Sequence, residues 1–332
     1  MKYRSVVITR KGPPEVLQVV ENDLREPMPG EARIKIQATG VGRTDVVMRY
    51  GYYLYAPKIP FAPGYEIVGI VDAVGAGVSR VAVGDRVAAL TVYGGYAEYI
   101  YRNADDLVHV PAALDPAEAV TLILNYVTAY QMLHRTATVQ AGHKVLMTGA
   151  SGGVGTALLQ LGQLAGLKMY GTASHVKQRL VQEAGAVPID YNTQDLVDFI
   201  RKADPGGLDF VFEGLGGSYI RRGFFVLRRG GKLVAYGNTG FIELLRDLVQ
   251  LQLLHWLPNG KSGKFYGITA LYRKDKTPFL EDLPILFQLL AERKLQPVIG
   301  ERFPLMEAAK ANTLLESGKA SGKIVLLAPE LL

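Results

Sequence analysis

The chain contains no cysteine. That absence removes disulfides, cysteine nucleophiles, thiolate zinc sites and iron–sulfur clusters together. Histidine is scarce: five residues, at 109, 134, 143, 175 and 255, with no HExxH or other close metal spacing. No metal is expected. Long apolar runs are missing too. No window of about 18 apolar residues occurs, and the richest stretch, 248–257, is broken by Gln250, Gln252 and His255. The opening Met1-Lys2-Tyr3-Arg4-Ser5 has no signal-peptide apolar core. A cytoplasmic protein without a membrane span is the expectation. The net charge is +6, yet no basic cluster interleaved with aromatics appears. That argues for a mildly basic surface and against a nucleic-acid partner.

What is present reads as an ordinary folded protein. The 332 residues are 48% hydrophobic and 20% charged, enough for two domains with full cores. Thirty-seven glycines without a collagen period point to many tight turns. Residues 1 to about 115 carry short β-branched runs such as Arg33-Ile34-Lys35-Ile36 and Ile67-Val68-Gly69-Ile70-Val71 between Gly and Pro punctuation. This is the texture of a barrel or sandwich. It changes at Asp115-Pro116-Ala117-Glu118, a helix start with Asp as N-cap and Pro in the first turn. Strands then read over 144–148, 168–172, 187–190, 209–212 and 232–236, with helices between them such as 156–165 and 177–184. That alternation implies βαβ units and a parallel sheet. A strand over 265–269 is expected at the sheet edge, then helices over 280–293 and 306–316 and a last strand over 323–327.

The strongest local signal is Val145-Leu146-Met147-Thr148-Gly149-Ala150-Ser151-Gly152-Gly153-Val154-Gly155. A strand runs into Ala150-x-Gly152-x-x-Gly155, and a helix follows. This is the dinucleotide fingerprint with Ala in the first glycine place. The turn must be tight, the backbone must approach a pyrophosphate, and Gly155 must let helix and strand pack closely. The helix N-terminus then offers N–H groups and a positive dipole end to the phosphates. NAD sites carry an Asp or Glu at the end of the second strand to bind the ribose diol. Here that strand ends Gly171-Thr172-Ala173-Ser174, and no Asp or Glu occurs between Thr156 and Gln182. Lys177 and Arg179 follow, beside His175. Hydroxyls and cations suit a 2′-phosphate, so NADPH is expected over NADH. A solvated helix face is the competing reading of the two cations.

Gly40-Val41-Gly42-Arg43-Thr44-Asp45, Gly64-Tyr65-Glu66-x-x-Gly69-x-Val71, Gly84-Asp85-Arg86-Val87 and the Ala150–Gly155 loop follow one another in a familiar order. Together they resemble the medium-chain dehydrogenase/reductase superfamily, and most of all its zinc-free quinone oxidoreductase, or zeta-crystallin, branch. The resemblance runs over essentially the whole length. It implies an α/β protein in which a GroES-like β-rich catalytic domain, residues 1–118 and 269–332, flanks a Rossmann-type doubly wound parallel sheet domain, residues 119–268, that binds NADPH. It also implies a homodimer. Zinc-dependent members carry Cys where this chain has Gly42 and His where it has Tyr65, so Glu66 alone would face an ion.

Without a Lewis acid, hydride transfer to the β carbon of an enone, or to a quinone, needs hydrogen-bond donors for the developing oxyanion and a source of one proton. Tyr50, Tyr52, Tyr53 and Tyr55 crowd six positions. The resemblance to enoyl reductases assigns the proton donor to Tyr53 in Gly51-Tyr52-Tyr53; rings that merely line a pocket are the alternative. It further implies cofactor contacts from Asn125 and Thr128, Ala150, Ser151, Gly152, Gly153, Val154 and Gly155, Ser174, Lys177, Arg179, Tyr191, Gly214, Gly237, Asn238 and Lys323. Two departures stand out. Relatives in this branch usually have Asn where Gly42 stands and often Tyr where Val47 stands. Asp45 matches a common family residue, structural or functional. The apolar stretch 241–264 reads as a substrate wall or lid, or else as core or subunit contact. The expected activity is zinc-independent, NADPH-dependent reduction of a small hydrophobic quinone or α,β-unsaturated carbonyl. An enoyl-thioester reductase is the near alternative. A low-turnover NADPH-binding structural, RNA- or vesicle-associated protein is the distant one.

Overall fold

The computed structural model describes every residue except 238 and 239. The chain divides into two units. The first takes in Met1–Val127 and Thr269–Leu332, the second Thr128–Ile268. The first division falls later than the expected one after residue 118. The helical stretch that starts at Pro116 continues, through two wider-turned segments, to Ala137. The textural change at Asp115 therefore marks a helix start, with the Asp115 carboxylate accepting from the Ala117 N–H at 2.8 Å, and the unit boundary lies inside that stretch.

The first unit is built on a seven-stranded sheet. Ile299–Pro304, Lys323–Leu327, Glu31–Val41, Glu66–Val74, Arg86–Leu90 and Val108–His109 lie side by side, and Tyr99–Asn103 also pairs with Glu31–Val41. Alternation explains the register. Ile34 and Ile36 enter the core with Ile67, Val71, Val87, Ala89 and Leu107, while Lys35 between them points to water. The tail strand returns antiparallel to Glu31–Val41, pairing Val325 with Gly40 and Ile324 with Val41. A helix over Arg43–Arg49 interrupts the β-rich texture.

The second unit is a six-stranded parallel sheet in the order Val187–Asp190, Lys168–Ala173, Lys144–Met147, Leu208–Glu213, Leu227–Tyr236, Ser262–Tyr266. Leu146, Ile189, Val211, Phe224 and Leu233 fill its core. This is the doubly wound architecture with its switch point between Lys144–Met147 and Leu208–Glu213. The edge strand sits earlier than the expected 265–269. It ends at Tyr266, and Ile268–Lys274 is helical, so Thr269 is a helix residue. The stretch 241–264 also departs from a core segment. Phe241–His255 is one helix in which only Leu251 is buried; its Ile242 is 78% exposed, and Trp256, which caps its C-terminus, is 71% exposed. Among the described residues no helix is long and apolar enough to cross a membrane.

Candidate functional sites

In the second unit, the loop after Lys144–Met147 is tied to the neighbouring strand at both levels. Gly149 N–H donates to the Thr172 hydroxyl at 3.0 Å, and Ala150 N–H to the Thr172 carbonyl at 3.0 Å. The helix Gly153–Leu164 starts directly from it with Gly152 as N-cap, so Gly153 and Gly155 lie in the first turn and not before it. A helix start leaves its first N–H groups without intrahelical acceptors. Ala150 and Gly155 are buried under the turn, while Ser151, Gly152, Gly153 and Val154 reach the surface. A Cβ on Gly155 would lie 2.7 Å from both the Cα and the carbonyl carbon of Ala150. Only glycine lets helix and loop close at this distance. The cradle fits a pyrophosphate.

The facing loop across the switch point is held by a carboxylate. Glu213 is buried and accepts from the Thr148 hydroxyl at 3.1 Å, from Leu215 N–H at 2.7 Å and from Gly216 N–H at 3.0 Å. The Thr148 hydroxyl in turn accepts from Gly214 N–H at 3.0 Å. Burial pushes the Glu213 carboxyl upward and these donors pull it back. Glu213 and Thr148 thus bracket the two loops at the carboxyl ends of adjacent strands. The sequence singles out Gly214 but not this bracket.

At the end of the second strand, Ser174 is half-buried and no acid lies on its own loop. Lys177 is also partly buried, and burial pushes its ammonium downward. Arg179 is different. It is highly exposed and donates to Glu183, one turn along the same helix, at 2.7 Å. The helix-face reading fits Arg179. His175 lies 3.8 Å from Asp190 at the end of the next strand. Tyr191 is exposed, Thr128 is buried, and Gly237 follows its strand in the left-handed region at φ +81°. Asn238 lies outside the described residues.

In the first unit, Asn125 is buried within the wider-turned segment Leu122–Tyr126. The corner where the resemblance places zinc ligands is built differently here. Gly42 offers no donor atom. Tyr65 is 2% exposed, and its carbonyl accepts from Thr91 N–H at 2.9 Å and Val92 N–H at 3.1 Å, which fixes the ring's origin. Its hydroxyl meets those of Tyr53 and Thr269: Tyr53 Oη lies 2.7 Å from Tyr65 Oη and 2.7 Å from Thr269 Oγ1, and Tyr65 Oη also bonds Thr269 Oγ1. Glu66 is fully buried and ion-paired with Lys323, itself 3% exposed. Lys323 is therefore spent on a carboxylate within its own unit. Asp45 lies alongside, accepting from Gly42 N–H at 2.8 Å and Gly64 N–H at 2.9 Å. Burial first, then the charge of Glu66, pushes the Asp45 carboxyl up to about 6. Glycine, a bound phenol and a salt-bridged carboxylate do not make a zinc ligand set. Among the described residues no group of three or more His, Cys, Asp or Glu is placed to hold a metal ion.

Comparison with known proteins places the chain. Residues 28–112 match the alcohol dehydrogenase GroES-like domain, and residues 182–326 the zinc-binding dehydrogenase family. The quinone oxidoreductase of Lama guanicoe is 34% identical over 98% of this chain and 97% of its own. The Escherichia coli quinone oxidoreductase solved with NADPH superimposes with a TM-score of 0.88 at 28% identity, over 98% of this chain and 99% of that one. The JamJ enoyl reductase gives 0.90 at 25% identity, over 99% and 100%. The chain therefore belongs to the medium-chain dehydrogenase/reductase superfamily of oxidoreductases, in its quinone oxidoreductase, zeta-crystallin-like branch.

Proposed function

We propose that this chain is a zinc-independent, NADPH-dependent reductase of quinones or α,β-unsaturated carbonyl compounds. The observation that carries the reading is the replacement of the zinc corner by the Tyr53, Tyr65 and Thr269 hydroxyls and the Glu66–Lys323 pair. A hydroxyl cluster suits a reaction that needs an oxyanion donor and one proton, and it does not need a Lewis acid. When bound, NADPH supplies the hydride. The chain's own residues do the rest. The Gly149–Gly155 loop and the helix start behind it hold the pyrophosphate, Glu213 and Thr148 keep the facing loop in register, and Ser174 and Lys177 meet the 2′-phosphate. Tyr53, the only one of the three hydroxyl residues with part of its surface open, gives the proton. The E. coli relative solved with NADPH supports the choice of cofactor. The same family likeness is the basis for assembly as a homodimer.

The test is steady-state NADPH oxidation with a panel of quinones, enals, enones and an enoyl-coenzyme A. Turnover of quinones or enones, with kcat falling about a hundredfold in Tyr53→Phe, is the expected result. Selective turnover of the thioester moves the assignment to the enoyl reductases, a reading favoured by the JamJ likeness. NADPH binding without turnover on any substrate defeats the reductase reading. The cofactor preference has its own check. Lys177→Ala is expected to weaken NADPH binding about tenfold and leave NADH within about twofold, because one charge-assisted phosphate contact is lost. Equal loss for both coenzymes removes the 2′-phosphate role.

A further inference from the structure

We infer that Tyr65 and Thr269 are positioning residues that cage the Tyr53 oxygen and stabilise its phenolate after proton transfer; this rests on Tyr53 being the proton donor. The triangle is closed, since each hydroxyl contacts the other two. Three O–H groups in a closed ring satisfy one another, each donating once and accepting once. The members differ in access. Tyr65 is 2% and Thr269 3% exposed, so neither can hand a proton to a ligand, whereas Tyr53 is only half-buried. Their chemistry must act through Tyr53. In the step itself, the Tyr53 O–H bond breaks and its electron pair stays on the oxygen. The enolate left by hydride addition to the substrate spends its pair on the new C–H bond, and water later returns the proton to Tyr53. At that moment Tyr65 and Thr269 can both donate to one anionic oxygen, and hydrogen bonds to a charged acceptor are about twice as strong as neutral ones.

Of the two phenols in the ring, the surroundings oppose ionisation more strongly at Tyr65 than at Tyr53. Burial holds the Tyr53 phenol above its usual value; the Thr269 and Tyr65 hydroxyls pull it part of the way back, Tyr55 raises it and the Arg273 guanidinium lowers it. Tyr65 is pushed well above the usual phenol range by burial, by Tyr53, and by the carboxylates of Glu66 and Asp45. Tyr65 therefore stays a donor. The elements that hold the cage are independent: the turn after Arg43–Arg49, the residue preceding Glu66–Val74, and the first turn of Ile268–Lys274. Residues 53 and 269 are 216 positions apart, so the contact is built by the fold and not by local sequence.

The experiment compares Tyr53→Phe, Tyr65→Phe, Thr269→Val and Thr269→Ser with the parent, on the best substrate of the panel, with melting curves as a fold check. Tyr65→Phe and Thr269→Val are each expected to lower kcat about 10- to 100-fold and leave KM within about threefold, the size of one hydrogen bond to a charged group. Thr269→Ser restores most of the rate. A readout without turnover accompanies it: alkaline titration of phenolate absorbance, parent minus Tyr53→Phe. Removing either caging hydroxyl moves the Tyr53 ionisation to higher pH. If Tyr53→Phe turns over like the parent, the donor assignment fails and the titration alone decides the cage. If Tyr53→Phe is slow but Tyr65→Phe and Thr269→Val keep kcat within about twofold and leave the titration unmoved, the cage is overturned and the donor stands.

Discussion

Gly155→Ala is expected to weaken NADPH binding at least a hundredfold. The added methyl would meet the carbonyl oxygen of Gly149 and lie 2.7 Å from the Ala150 Cα and carbonyl carbon. All three contacts are backbone, so no side chain can swing aside. Relief requires the loop to move off the helix by a substantial fraction of an ångström. That motion breaks the alignment of the loop amides with the first turn of Gly153–Leu164, and misplacements of about 1 Å at a binding constellation cost on the order of 10²-fold. Overpacking alone would cost about 1–3 kcal/mol of stability, so the variant should still fold. Calorimetric titration with NADPH measures the loss. Affinity within about threefold of the parent would mean that the loop does not carry the phosphates.

The contrast between the two units explains what could be read from the chain alone. In the second unit the determinants are local. Val145, Leu146 and Met147 form a buried strand, glycines follow at fixed spacing, and a helix begins, all within about a dozen residues. Hydrophobic runs punctuated by glycine carry that information in order along the chain, and five of the six parallel strands are legible on it. The sixth lies three residues earlier than the 265–269 the sequence predicts. Phe265, Tyr266, Ile268 and Thr269 have uniform β propensity, and tertiary context rather than propensity ends the strand at Tyr266. In the first unit the determinants are remote. Glu66 meets Lys323, and Tyr53 meets Thr269, only because the tail strand and the Ile268–Lys274 helix return to the sheet. The sequence marks Tyr65 and Glu66 only by the zinc ligands they lack; Thr269 and Lys323, which they meet, lie more than two hundred residues away. Gly40 lies against this pair: any Cβ there would collide with both the Glu66 carboxylate and the Lys323 side chain. The surface pairing of Arg179 with Glu183, by contrast, is a plain i,i+4 contact that the helix spacing already contained.

Lys323→Met should cost about 3–5 kcal/mol of stability, because it strands the Glu66 carboxylate in an interior where neither partner is more than 3% exposed. The replacement keeps the volume and removes only the charge, so packing loss is a minor contributor. The pair itself need not stabilise the fold. Two desolvated charges gain back roughly what their burial costs, and an apolar pair of similar shape is often neutral or better. The double variant Lys323→Met with Glu66→Leu is therefore expected to recover most of the loss, which separates an orphaned charge from a damaged core. Asp45 adds a pH signature. Its folded-state value of about 6 lies above the ordinary 3.8, and Lys323 is one of the groups holding it down. A carboxyl raised on folding contributes stability that is present at low pH and lost as the pH rises through the folded value. In the parent that loss runs from about pH 4 to about pH 6. Without the ammonium the Asp45 value climbs further, so the window extends upward and the variant's deficit grows with pH. Urea unfolding at about pH 5 and about pH 8 measures it. A deficit below about 1 kcal/mol at the higher pH, or one that the double variant does not reduce, would show that the Lys323 charge is not what holds this corner together.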